Sequence, residues 1–134
     1  MSNKNNAPPA LTVGSPAPAL KVSRFLKGEP VTSFESGTIY VIEFWATWCG
    51  PCVEAMPHVS ALQKQFPKVT FIGVNVWEKD EAAAVELVKK LGTKLEYRIA
   101  RDEIPDGNAD NGVMSTTWLK AAEISGIPTA IVVD

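Results

Sequence analysis

At 134 residues the chain has the length of one domain and enough material for a hydrophobic core. Its 46% apolar and 21% charged residues are ordinary for a globular protein, and a net charge of −2 leaves no electrostatic footprint for nucleic acid or an anionic membrane. No apolar run is long enough to span a bilayer as a helix. The polar opening, residues 1–6, lacks the apolar stretch of a signal peptide, although the same opening is what remains where a signal or anchor has been replaced.

Residues 1–10, polar and containing Pro8 and Pro9, are expected to be a disordered lead-in to a single domain over 11–134. Residues 11–20 are too rich in proline for a central strand or helix. Two short segments, 21–25 and 29–32, flank Lys27-Gly28 and predict a hairpin at a sheet edge. The apolar, β-branched and aromatic run Ile39–Trp45 predicts a buried strand. Alternation places Tyr40, Ile42 and Phe44 on one face and Val41, Glu43 and Trp45 on the other. A carboxylate in such a strand is costly unless it is paired, protonated or close enough to the strand end to be solvated. Glu43 is thus either a solvated strand-end acid or a site residue.

Directly behind the strand stands Trp48-Cys49-Gly50-Pro51-Cys52, holding both cysteines of the chain. The following residues, 53–66, predict a helix with Val53, Met56, Val59, Leu62 and Phe66 along one face. The pair therefore lies where a strand gives way to a helix. Unpaired N–H groups and the positive end of the helix dipole stabilise a thiolate there and lower a cysteine's pKa. Cys49 is expected to be the exposed attacking thiol, and Cys52, one turn on, to resolve the mixed disulfide. A closed zinc site needs four ligands, and His58 is the only histidine to add to the pair. A purely structural disulfide across so short a loop removes little unfolded-state entropy. Redox chemistry is the better reading of the spacing.

Further along, Pro57 falls inside the helix, and His58 beside it is expected to point outward, off the apolar stripe. Residues 69–76 predict a second strand buried on both faces and parallel to the first. Asp80 offers an N-cap, Ala84, Leu87, Val88 and Leu91 an apolar helix face, and Gly92 a stop. This βαβα run implies an α/β layer fold. Residues 97–100 predict another strand and 101–112, rich in Asp, Asn, Gly and Pro, a long loop. Ser115 is expected to cap a short helix to 124 with Trp118, Leu119 and Ala122 inward. The final apolar run, 130–133, follows Gly126-Ile127-Pro128-Thr129.

Phe44-Trp45-Ala46-Thr47-Trp48-Cys49-Gly50-Pro51-Cys52 resembles the active-site signature of the thioredoxin superfamily. More narrowly, Phe44-Trp45-Ala46-Thr47-Trp48-Cys49 resembles the bacterial extracytoplasmic branch of TlpA- and ResA-like thiol–disulfide oxidoreductases, with Pro57 and Gly126-Ile127-Pro128-Thr129 as further matches in order. The resemblance runs over residues 13–134 and implies a thioredoxin-like α/β fold, a mixed sheet flanked by helices. It implies that residues 11–20 are the entry segment crossing the fold before the first strands. It implies a catalytic set of Cys49, Cys52 and Glu43, with Glu43 taking or relaying the proton of Cys52. It also implies a cis Pro128 packed on the disulfide, and a substrate surface of Trp48, Gly50, Pro51, Ile127 and Pro128. There the backbone of Ile127 pairs with an extended substrate chain. Members of the family normally add one more strand and a closing helix after this point, so a strand edge and one sheet face are expected to lie open here.

The expected activity is reduction of protein disulfides, with Gly50-Pro51 resembling reducing thioredoxins, and a role in cytochrome c maturation as in some relatives of this kind. The partners implied are a protein disulfide substrate and a separate thiol donor. No metal, flavin or nucleotide is implied, and the compartment implied is bacterial extracytoplasmic, periplasmic or membrane-anchored in a full-length protein, with the cytoplasm as the alternative. Two rivals stand beside this. A redoxin-type peroxidase normally has threonine three residues before a lone peroxidatic cysteine, where this chain has Ala46 and a pair. A non-catalytic binding module has no need to keep the pair, Glu43 and Pro128 together.

Overall fold

The computed structural model describes residues 9–134; the expected lead-in, residues 1–10, lies outside them apart from Pro9 and Ala10. Among the described residues five strands form one mixed sheet: β1 (Val22–Lys27), β2 (Ile39–Trp45), β3 (Val69–Asn75), β4 (Arg98–Asp102) and β5 (Thr129–Val133), in the order β1-β4-β3-β2-β5. β2, β3 and β4 run parallel, while β1 and β5 pair antiparallel at the two edges. The helix α1 (Gly50–Gln65) joins β2 to β3, and α2 (Glu81–Leu91) joins β3 to β4. This is the expected α/β architecture.

The alternation of β2 divides the core in two. Tyr40, Ile42 and Phe44 pack with Ile72, Val74, Ala100, Met114, Trp118 and Leu119 on one face. Trp45 packs on the other face with Cys52 and Met56 of α1, Ala84 and Val88 of α2, and Tyr97 and Ile99. Both helices thus cover the face that carries Glu43. Asp80 caps α2 by accepting the Ala82 N–H at 3.0 Å, an interaction worth about 1 kcal/mol. Gly92 ends the helix at φ +48°, a conformation that suits glycine.

Three local expectations are corrected. The hairpin over 21–32 is absent: β1 pairs instead with β4, Val22 opposite Asp102, and residues 29–32 form no strand. The loop expected over 101–112 begins later, because Arg101 and Asp102 continue β4 as buried residues. Ser115 is no cap but the first residue of a π-helical segment, Ser115–Lys120; the cap is Asp102, whose carboxylate accepts the N–H groups of Met114 (2.7 Å) and Ser115 (3.1 Å). Trp118 and Leu119 point inward as expected. The proline-rich entry segment crosses this π-helical element, with Leu11 N–H donating to Ala121 O and the Trp118 indole N–H donating to Ala19 O. β5 forms one edge of the sheet, with Val132 65% exposed.

Candidate active site

Parallel strands end together, and the consequence here is convergence. The carboxyl ends of β2, β3 and β4 and the amino end of antiparallel β5 meet at one edge of the molecule. That brings residues 46–52, 76–78, 101–102 and 127–128 to one place. Crevices at the carboxyl ends of parallel strands are where open α/β sheets bind ligands.

Cys49 is the N-cap of α1, with φ −97° and ψ 98°, and its Sγ accepts the N–H of Cys52 at 3.2 Å. Pro51 in the first helical turn forgoes a donor that the helix start would leave unpaired. Cys49 and Cys52 are joined in a disulfide with Cα atoms 5.2 Å apart. Cys52 is fully buried. Cys49, expected to be exposed, keeps only 5% of its surface because the 127–128 segment covers it: Sγ lies 3.6 Å from the Ile127 carbonyl oxygen. The Ile127-Pro128 peptide bond is cis. Around the sulfurs, Trp48 is 60% exposed and Gly50, Pro51 and Pro128 are also exposed, with Ile127 half-buried. His58 points to solvent.

Glu43 lies beneath this surface at 5% exposure, on the α1 side of β2 between Val41 and Trp45. The Tyr97 hydroxyl donates to its Oε1 at 3.5 Å, and Oε2 has no partner among the described residues. Desolvation by burial pushes its pKa up to about 7, and the hydrogen bond from Tyr97 offsets part of that rise. Burial, and then the neighbouring carboxylate, push the Tyr97 phenol well above its ordinary range. Gly73, opposite Glu43 in β3, makes room for both: a Cβ there would sit 3.1 Å from Glu43 Oε1 and 3.1 Å from Tyr97 Cε2. Of the eight residues singled out by sequence, the structure brings Trp48, Cys49, Gly50, Pro51, Cys52, Ile127 and Pro128 to one surface, and holds Glu43 on the buried face of β2 that α1 covers. Tyr97 and Gly73 escaped the sequence reading, although a glycine inside a strand is a signal of close approach.

The Ala46–Trp48 turn is held from the side. Glu78 Oε1 and Oε2 accept the Thr47 N–H and hydroxyl, each at 2.7 Å, and the Trp77 carbonyl accepts the Trp48 indole N–H at 2.8 Å. Among the described residues, no helix is long and apolar enough to cross a membrane.

A thioredoxin family model matches residues 29–99. The chain is 34% identical over 127 residues to Protein FixW of Rhizobium leguminosarum, covering 93% of this chain and 57% of that protein. It is 28% identical over 134 residues to the thiol:disulfide interchange protein HelX of Rhodobacter capsulatus, covering 98% of this chain and 68% of that one. Among solved structures, a thiol-disulfide isomerase from Corynebacterium glutamicum superposes with a TM-score of 0.67 at 21% identity, over 88% of this chain and 79% of the other; this likeness is one of fold. The chain spans little more than half the length of FixW.

Proposed function

The chain belongs to the thioredoxin family, with the TlpA- and ResA-like thiol–disulfide oxidoreductases, and from that premise we propose that it reduces protein disulfides through Cys49 and Cys52. The observation that carries this reading is the setting of Cys49 Sγ. It sits at the start of α1, accepts the Cys52 N–H, and faces the Ile127 carbonyl on the exposed surface around Trp48 and Pro128. A thiolate in that setting is stabilised by the donor and by the helix dipole.

In the reduced protein the Cys49 thiolate attacks one sulfur of a substrate disulfide. A mixed disulfide forms, and the second substrate sulfur leaves as a thiolate that water protonates. Glu43 accepts the proton of Cys52, whose thiolate then attacks Cys49 Sγ. The remaining substrate sulfur leaves, and the Cys49–Cys52 disulfide holds the two electrons' worth of oxidation. A separate dithiol donor returns the protein to its reduced form. Glu43 suits the task because a carboxyl titrating near neutrality both takes and returns a proton. An extended substrate chain lies along Ile127 and Pro128, with Trp48, Gly50 and Pro51 flanking the sulfurs. We place the reaction outside the cytoplasm and assign it to disulfides such as those handled in cytochrome c maturation, on the strength of the Phe44–Cys52 motif.

The reduction potential tests the direction of flow. Equilibration in defined thiol–disulfide buffers, with free thiols counted, is expected to give a value near the roughly −270 mV of thioredoxin. A value near the roughly −120 mV of a strong oxidant would reverse the assignment to disulfide formation.

A further inference from the structure

Beside the disulfide lies a buried polar network that the redox steps above do not use. Asn75, Glu78 and Arg101 are each 5% exposed or less. Arg101 donates from Nη1 to Asn75 Oδ1 at 2.7 Å and from Nη2 to the Glu78 carbonyl at 2.8 Å. Asn75 Nδ2 in turn donates to Glu78 Oε1 at 3.1 Å. Ionisable groups are costly to bury, and well-packed apolar residues commonly serve stability as well or better. A network of this kind beside a reacting centre therefore calls for a role beyond packing.

Its output is directed at one turn. Both donors of Thr47 end on the two oxygens of Glu78, and Thr47 stands two residues before Cys49. The neighbouring Trp77 adopts φ +52°, unusual for a bulky side chain, while its carbonyl receives the Trp48 indole N–H. Residues 77–78 thus grip two consecutive residues of the turn, and the turn closes with Cys49 N–H donating to Ala46 O at 3.2 Å. We propose that Glu78 is a positioning residue for the attacking thiol. It acts through Thr47 to keep Cys49 Sγ within reach of the Cys52 N–H. The inference rests on Cys49 being the nucleophile, as proposed above.

The test uses the full chain with Glu78→Ala, Glu78→Gln and Thr47→Val, each measured for melting temperature, reduction potential and the alkylation rate of reduced Cys49 with iodoacetamide. Glu78→Ala is expected to slow alkylation by about tenfold or more, since small misplacements of reacting groups cost that much. Weaker support of the thiolate favours the disulfide. The thiol–disulfide equilibrium is expected to move that way by about tenfold, or ~30 mV for a two-electron couple. Glu78→Gln keeps an oxygen for the Thr47 N–H and is expected to restore most of the rate. Thr47→Val removes only the hydroxyl contact, at a half-buried position, and decides the matter if Glu78→Ala does not fold. Lowered melting temperatures with rate and potential equal to the parent would make the network structural and overturn the proposal. A parent protein without a reversible two-thiol transition would remove the nucleophile itself, and so is distinguishable from that failure.

Discussion

Glu43 carries a carboxyl to a place that suits its neutral form. One oxygen has a long hydrogen bond from Tyr97 and the other has no partner among the described residues. With its pKa raised from 4.5 to about 7, the folded chain holds this proton more tightly than the unfolded chain does. Between those values the native state binds the extra proton, so stability falls as pH rises through the window. The loss is complete above about pH 7 and on the order of 3 kcal/mol. Glu43→Gln mimics the neutral acid. Its melting temperature is expected to match the parent near pH 4 to 5 and to exceed it at pH 8; equal melting curves at both would contradict the burial cost. Tyr97→Phe removes the one interaction that lowers the Glu43 pKa, and so extends the window to higher pH. On the chemical side, Glu43→Gln lacks a proton acceptor for Cys52. The mixed disulfide with a small aromatic disulfide is expected to persist about 100-fold longer at pH 7, as measured by quench and mass spectrometry. A lifetime equal to the parent's would take Glu43 out of the reaction. Glu43 was legible in the sequence because an acid inside an apolar strand is an anomaly wherever the strand lies. Tyr97 was not, since its hydroxyl meets Glu43 across 54 residues and nothing local marks it.

Elements whose ends are capped by their own neighbours are legible in the sequence. Asp80 and Gly92 bracket α2, and the alternation in Ile39–Trp45 assigned both faces of β2 correctly. A polar residue satisfied from a distance carries no such local mark. Arg101 and Asp102 look like loop residues because their charge suggests solvent. Their partners are Asn75, the carbonyl of Glu78 and the Glu81 carboxylate at 3.7 Å for one, and the amides of Met114 and Ser115 for the other. Burial lifts the Asp102 carboxyl above its ordinary pKa, with those amides offsetting part of the rise. Asp102→Ala leaves two buried N–H groups unpaired and is expected to destabilise the chain by roughly 2–4 kcal/mol in urea unfolding. Gly112→Ala tests the same cap from outside, because a Cβ there would collide with the Asp102 carboxylate, which its two donors hold in place. It too is expected to lower stability, by about 1–3 kcal/mol. Either variant within 0.5 kcal/mol of the parent, a range usual for surface substitutions of about this effect, would show that the π-helical segment does not depend on this cap.

At the scale of the molecule, the order of elements made the parallel core legible, since a strand–helix–strand unit returns the chain to the same sheet in the same direction. The edges were not legible. Which strand lies outermost follows from pairings between distant segments, such as β1 with β4, and local pattern carries no record of them. The β5 edge has a physical consequence. Among the described residues, one side of β5 is bonded to β2 and no strand lies along its other side, where a row of backbone donors and acceptors is left without a strand partner. Beside it lies a groove of about 890 Å³ between residues 11–18, Trp118, Ile124 and β5, with Val132 exposed nearby. An open, apolar edge strand is a template for pairing with another chain. The chain is therefore expected to associate reversibly as its concentration rises, by sedimentation velocity, and Val132→Lys to suppress that association by placing charge on the edge. Because Val132 pairs with Val41, away from the sulfurs and from the Ala130 partner of Glu43, the same substitution is expected to leave the reduction potential unchanged. A parent chain that stays monomeric at every concentration, or a lysine variant that associates equally, would mean that this edge is protected by something other than charge or pairing.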